Sequence, residues 1–296
     1  MSIYLLEYMP HILRERIKQQ KINLLDMREI RIRVGKPVFA TNEKEEISLK
    51  NEDGSNFIAT DRLCESMFNA INDYSLYAHS DSIRKGFITI RGGHRIGFAG
   101  QVVTEEGRVK TVCNISSLNI RISHEVKGVS DGIIKELYDN NGGIKNTLII
   151  SPPGFGKTTM LRDIIRNISN GSNEKKGMNV TVIDERSEIA ACYKGIPEND
   201  LGDRCDVFDG ITKAEGMILA LRTMAPRVIA VDEIGGEEDI NAIKQVSKCG
   251  CGIIATIHGD SKEDLYINKA VNTLIKDKLF QNYIVLGKDG TSYVCS

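Results

Sequence analysis

The 296-residue chain carries 39 Lys and Arg against 40 Asp and Glu, a formal net charge of -1. So even a balance gives no global basic field for tracking a phosphate backbone, and 6% aromatic residues without tryptophan supply few stacking platforms, so no nucleic acid is expected as the main partner. The length suits two medium domains with their own cores, and no apolar run approaches the roughly 20 residues a membrane span needs.

The seven cysteines, at 64, 113, 192, 205, 249, 251 and 295, show no C-x-x-C spacing and follow no secretory leader, which fits a reducing, cytoplasmic setting. Cys249 and Cys251 lack a partner His/Cys cluster and read as structural residues rather than zinc ligands.

Taken in order, the chain opens with an amphipathic helix after Pro10, with Ile12, Leu13 and Ile17 on one side. Glu29 to Val34 alternates Ile30, Ile32 and Val34 with Arg31 and Arg33, the pattern of a half-buried strand. Residues 61–77 return to helical spacing through Leu63, Met67, Ala70 and Ile71. Phe87 to Ile90 and Ile96 to Val103 form β-like runs around the turn Arg91-Gly92-Gly93-His94-Arg95, and Leu118 to Ile122 alternates again. These elements predict a smaller α+β domain with its linker over 1–138. The loop Asp139-Asn140-Asn141-Gly142-Gly143 marks the boundary to a second domain over 139–296.

Beyond that loop, near-continuous apolar runs at 147–150, 179–183, 227–231 and 253–257 alternate with helical segments. Such runs predict a parallel-rich sheet buried on both faces, and with the phosphate loop below they indicate an α/β P-loop domain; that it is RecA-like is what the family resemblance given below implies.

The chain centres on the first of these runs. Thr147 to Ile150 breaks at Ser151-Pro152-Pro153-Gly154-Phe155-Gly156, and Lys157-Thr158-Thr159 opens a helix in which Met160, Leu161, Ile164, Ile165 and Ile168 recur at helical spacing. Strand, glycine-containing loop and helix N-terminus together make an anion cradle, because backbone N–H groups and the positive dipole end converge on one place. In the pattern G-x-x-x-x-G-K-[ST], Lys157 contacts the β/γ-phosphates of ATP and Thr158 puts a hydroxyl on Mg²⁺. Ser151 replaces the first glycine, and Gly154, Gly156, Lys157 and Thr158 keep their places.

Three more strand ends carry polar chemistry. Val228 to Val231 runs into Asp232 and Glu233. The first carboxylate is the candidate for holding Mg²⁺ and the second for orienting or deprotonating the attacking water. Val182-Ile183-Asp184-Glu185-Arg186-Ser187-Glu188 is a second acidic strand end, with Glu185 and Glu188 as further catalytic candidates. Ala255-Thr256-Ile257-His258 closes a third strand on a polar residue and a histidine.

The stretch from Leu221-Arg222-Thr223 to Val231-Asp232-Glu233-Ile234-Gly235, followed by Gly250 to His258, resembles the Walker B and histidine boxes of the secretion ATPases of type II and type IV secretion and pilus assembly. Within that superfamily, I-D-E-R-S-E-I-A at 183–190, D-V-F-D-G at 206–210 and K-A-E-G-M at 213–217 resemble the stage III sporulation AA family. So do E-I-R-I-R-V-G-K-P at 29–37, Y-S-L-Y-A at 74–78, I-T-I-R-G-G-H-R-I-G at 88–97 and S-S-L-N-I-R-I-S at 116–123.

The resemblance implies a homo-oligomeric ring, with a hexamer as the expected size, that hydrolyses ATP with Mg²⁺. It implies a place in the mother-cell cytoplasm, peripheral to the membrane through partner components of the channel joining mother cell and forespore. It further implies a γ-phosphate sensor at His258 and a basic residue brought to the phosphates, with Arg91, Arg95, Arg121 and Arg222 as candidates. Two other readings stand beside this one: a nucleotide-gated structural hub with little turnover, and a P-loop motor that translocates nucleic acid.

Overall fold

A computed structural model of the chain describes residues 2–71, 86–105, 107–266, 269–287 and 292–295. It divides into two compact units, Met1–His124 and Glu125–Ser296. The stretch at 74–78 and the last part of the helix expected over 61–77 lie outside the described residues.

The first unit has two short helices, α1 (Ser2–Tyr8) and α2 (His11–Gln19), then strands β1 (Glu29–Arg33), β2 (Phe39–Thr41) and β3 (Glu46–Ser48), helix α3 (Asp61–Ile71), and strands β4 (Phe87–Ile90), β5 (His94–Glu105) and β6 (Arg108–Arg121). The strands form one sheet in the order β3-β2-β1-β6-β5-β4, and every pairing is antiparallel. Register follows the alternation in the sequence: Ile30 stands opposite Ile120 and Ile32 opposite Leu118, which puts four apolar side chains on the core face. Leu13 and Ile17 of α2 and Leu63, Met67 and Ile71 of α3 complete that core, while Ile12 turns to solvent. The glycine pair closes the β4–β5 hairpin, with Gly92 and Gly93 at φ 88° and 72°, a region open to glycine at little cost.

The second unit is a three-layer α/β/α sandwich. Its strands are β7 (Thr147–Ser151), β8 (Val180–Asp184), β9 (Cys205–Asp209), β10 (Val228–Val231), β11 (Gly252–His258), β12 (Asn282–Leu286) and β13 (Ser292–Cys295), in the sheet order β13-β12-β7-β11-β10-β8-β9. All neighbours are parallel except β12 and β13.

Every residue of β7, β8, β10 and β12 is buried, because side chains of both parities face helices. On one face Ile149, Val182, Ala230 and Ile254 pack with α4 (Lys157–Asn170). On the other, Ile150, Ile183, Val231 and Ala255 pack with α5 (Lys213–Thr223), α6 (Glu237–Lys248) and α7 (Lys269–Lys276). Cys251 is buried in this second layer.

The second unit takes up the chain before the glycine-rich loop at 139–143. The N–H groups of Gly128 and Ser130 donate to Asp163 of α4, at 3.0 and 2.8 Å, and Leu137 is fully buried against the α4 layer. The Asp163 carboxylate, buried yet held by these donors and by Arg166, stays below the usual carboxylate range.

Candidate nucleotide-binding site

The parallel sheet sets four polar strand ends side by side. His258 at the end of β11 is in register with Ser151 at the end of β7, and Val231, just before Asp232, is in register with both Ala255 and Ile183. The carboxyl edge of a parallel sheet is where ligands of such folds bind, since loops there diverge and helix N-termini point inward.

The loop after β7 has the backbone of an anion cradle. Gly154 and Gly156 adopt φ 84° and 88°, and a Cβ at either would meet nothing within 4 Å, so conformation and not crowding calls for glycine there. Ser151 fits the strand end fully buried, its hydroxyl donating to the Pro152 carbonyl at 2.9 Å. Pro152 is buried, while Pro153 and Phe155 stand out into solvent and Thr159 is half-buried.

Lys157 begins α4 and is 8% exposed. Burial pushes its ammonium pKa down, opposed by the nearby charges of Asp232, Glu233 and Glu188.

A continuous polar chain ties these strand ends together. Lys157 Nζ lies 2.9 Å from His258 Nδ1, and His258 Nε2 lies 3.0 Å from Glu233 Oε1. Since an ammonium only donates, the tautomer serving both partners carries its proton on Nε2. The other Glu233 oxygen accepts from Arg186 at 2.8 Å. Thr158 Oγ1 donates to Asp232 Oδ2 at 2.8 Å, and Thr256 Oγ1 donates to Asp232 Oδ1.

Thr256 also accepts the N–H of Glu233 at 2.8 Å, which pins a residue whose φ of 53° lies in the left-handed region. Fully buried on β11, it anchors both carboxylate-bearing residues at once.

Asp232 and Glu233 share a cleft with the acidic loop after β8 and with Lys213. Glu185 pairs there with Lys213. Asp184 is buried, and burial raises its pKa to about 6 against the opposing pull of hydrogen bonds from the backbone of Ala190, Glu188 and Ile189.

Two residues reach this edge that the site reading of the sequence leaves out, Arg186 and Arg162, and Thr256, read there only as the polar residue of its strand end, has a larger part than that reading gave it. Arg162, on α4, feels the charges of Glu125, Asp184 and Asp232, and its Nε is buried without a hydrogen-bond partner.

Of the four arginine candidates, Arg91, Arg95 and Arg121 belong to the first unit and Arg222 to the second. Arg222 is exposed in the last turn of α5. Arg91 lies over the Tyr4 ring at 3.9 Å and Arg95 over the Phe87 ring at 5.0 Å, both within the first unit. Arg121 is opposite Glu29 and Arg95 at the end of β6.

The family model for sporulation stage III protein AA matches residues 4–294. The chain belongs to that family. Stage III sporulation protein AA of Bacillus subtilis is 38% identical over 264 residues, which is 89% of this chain and 83% of that protein. The uncharacterized protein ycf45 of Cyanidium caldarium is 31% identical over 164 residues, which is 55% of this chain and 46% of that protein.

Among solved structures, the pilus retraction motor PilT with bound ADP superposes with a TM-score of 0.60 at 15% identity, covering 96% of this chain and 80% of that one. The Legionella pneumophila ATPase DotB gives 0.57 at 17%, covering 97% and 81%. At such identities the likeness establishes the fold alone: this family member shares the architecture of PilT and DotB.

Proposed function

We propose that this family member binds ATP with Mg²⁺ at the carboxyl edge of the β7-β11-β10-β8 sheet and hydrolyses it to drive a ring-shaped motor of the secretion ATPase type. The observation that carries the reading is the polar chain from Lys157 through His258 and Glu233 to Arg186, with Thr158 and Asp232 bonded beside it. Four strand ends far apart in sequence converge there on the groups that phosphoryl transfer needs.

The residues present fit a nucleotide and its cation. The loop offers glycines in left-handed conformations and the N-terminus of a 14-residue helix, which suits phosphate oxygens. Thr158 and Asp232 form a hydroxyl–carboxylate pair, an oxygen donor set suited to Mg²⁺, which would offset charge on the β- and γ-phosphates when bound. Lys157 would hold the phosphates, its lowered pKa reflecting a partly desolvated charge that a phosphate would satisfy. Glu233 would accept a proton from the attacking water, with Glu185 or Glu188 assisting, and His258 would report on the γ-phosphate through its contacts with Lys157 and Glu233.

A homo-oligomeric ring, a hexamer by analogy with secretion motors, would share sites between subunits and use an arginine from among Arg91, Arg95, Arg121 and Arg222. The name of the Bacillus subtilis relative supports a role in sporulation. On this reading the protein would work in the mother-cell cytoplasm, peripheral at the membrane through channel components. Among the described residues no helix is long and apolar enough to cross a membrane.

A second reading, a nucleotide-gated hub with little turnover, draws on the engagement of both Glu233 oxygens by Arg186 and His258. The experiment that separates the two is steady-state ATPase activity against protein concentration, with oligomer mass recorded on the same samples and Glu233→Gln as control. Specific activity that rises with assembly and vanishes in the variant supports the motor. A ring that binds ATP without turnover supports the hub.

A further inference from the structure

The loop after β8 has an unusual internal support. β8 ends on Asp184, whose side chain turns back under the loop. One carboxylate oxygen accepts the N–H of Glu188 at 2.7 Å, and the other accepts the N–H groups of Ile189 and Ala190 at 3.0 and 2.8 Å. Three consecutive backbone donors on one buried carboxylate are the pattern of a clamp, since each bond forms only if the chain folds back over the strand end.

The fold-back has conformational opposition. Ser187 and Ala191 adopt φ 54° and 50°, where a side chain crowds its own backbone. Ser187 is further tied by its hydroxyl to Asp209 of β9 at 2.6 Å, and the Ala190 carbonyl accepts from the N–H groups of Glu198 and Asn199. What the folded-back loop presents outward is Arg186, whose guanidinium meets Glu233.

We infer that Asp184 is a positioning residue: by clamping the N–H groups of Glu188, Ile189 and Ala190, it holds the acidic loop in the shape that places Arg186 against Glu233. Its catalytic consequence rests on the ATPase reading above, and its conformational consequence does not. The Asp184 carboxylate bonds to its own loop and not to Lys157 or Asp232, so it acts through the loop. Arg162 supplies a nearby positive charge from α4 that favours the ionised, three-acceptor form of the clamp.

The test uses the full chain with Asp184→Asn, Arg186→Ala and the double variant. Asparagine keeps the shape but brings an amide NH₂ where the carboxylate accepted, so one side of the clamp opposes donor to donor. Amide hydrogen exchange at residues 188–190 is expected to speed up at least tenfold in Asp184→Asn, while exchange in β7, β10 and α4 stays as in the wild type. Affinity for a fluorescent ADP analogue should stay within about twofold. On the ATPase reading, in which Arg186 orients the Glu233 carboxylate, kcat for ATP should fall at least tenfold with KM little changed, and adding Arg186→Ala should lower it no further, because both changes break one contact.

Unchanged protection at 188–190 in Asp184→Asn overturns the clamp. Losses that multiply in the double variant overturn action through Arg186. If the wild-type chain shows no turnover, the ATPase reading fails by itself, and the exchange experiment still decides for or against the clamp. Global acceleration of exchange, reaching β7 and α4, would mean that Asp184 supports the whole fold and would also overturn a positioning role.

Discussion

Thr256→Val tests the architecture of the site most directly, because it removes two hydrogen bonds without removing volume. The wild-type hydroxyl accepts the Glu233 N–H at 2.8 Å and donates to Asp232 Oδ1, and the side chain is fully buried. Valine leaves a backbone donor without its acceptor, worth roughly 1–3 kcal/mol, and removes a bond to a charged acceptor, worth about 1.5–3 kcal/mol. Relief of the left-handed strain at Glu233 returns on the order of 1 kcal/mol. A net loss of about 3 kcal/mol from the second unit is expected.

Thr256→Ser keeps the hydroxyl and gives up one methyl group, about 1 kcal/mol. With two compact units in one chain, the readout is amide exchange of β10 and β11 under native conditions, with urea titrations followed by circular dichroism as a check. The order wild type, then Ser, then Val is expected. A valine variant as stable as the serine variant would refute the claim that the hydroxyl anchors Glu233.

Four further outcomes follow from the same geometry. Lys157→Ala should lower affinity for ADP by at least tenfold in calorimetry, since the other cation of the polar chain, Arg186, is engaged with Glu233. Glu233→Gln should bind ATP with near wild-type affinity and lose about 10²–10⁴ in kcat, the usual contribution of a general base. Ser151→Gly should change nucleotide affinity by less than about threefold, because the Ser151 hydroxyl is satisfied by the Pro152 carbonyl inside the strand end.

The fourth outcome is a pH effect at Asp184, whose pKa rises from 3.8 to about 6 on burial. A group raised in this way contributes stability below its unfolded pKa and loses it as pH climbs through the folded one. Relative to Asp184→Asn, the wild type should therefore lose roughly 2 kcal/mol between pH 4 and pH 7, measured as the difference between the unfolding free energies of the two proteins. A difference that is flat with pH would refute the buried titration.

How much of this was legible in the sequence depended on what each element faces. β7, β8, β10 and β11 were readable because strands buried on both faces leave continuous apolar runs that end abruptly in polar residues. β9 escaped: it pairs on one side only, and its Cys-Asp-Val-Phe-Asp stretch is partly exposed. β12, Asn-Tyr-Ile-Val-Leu, is a short run that periodicity alone does not separate from helix. Helix α2 was legible in Leu13 and Ile17 and misleading in Ile12, which spacing puts at the rim of the apolar face.

The site divides along a similar line. Lys157, Thr158, Asp232 and Glu233 announce themselves by residue type at strand and helix ends, so the sequence could name them, and the structure sets them within one polar chain. Thr256 shows in the sequence only as a polar residue near a strand end, since a buried threonine in a β-strand is ordinary; its importance comes from strand order, which places β11 beside β10. Arg186 looked like a counter-charge in an acidic stretch, and only the fold-back of the loop over Asp184 aims it at Glu233. Chemistry carried by residue type can be read along a chain. Chemistry carried by which strands are neighbours, and by which backbone a carboxylate holds, belongs to the tertiary structure, and the two residues that support Glu233, Thr256 and Asp184, are both of that second kind.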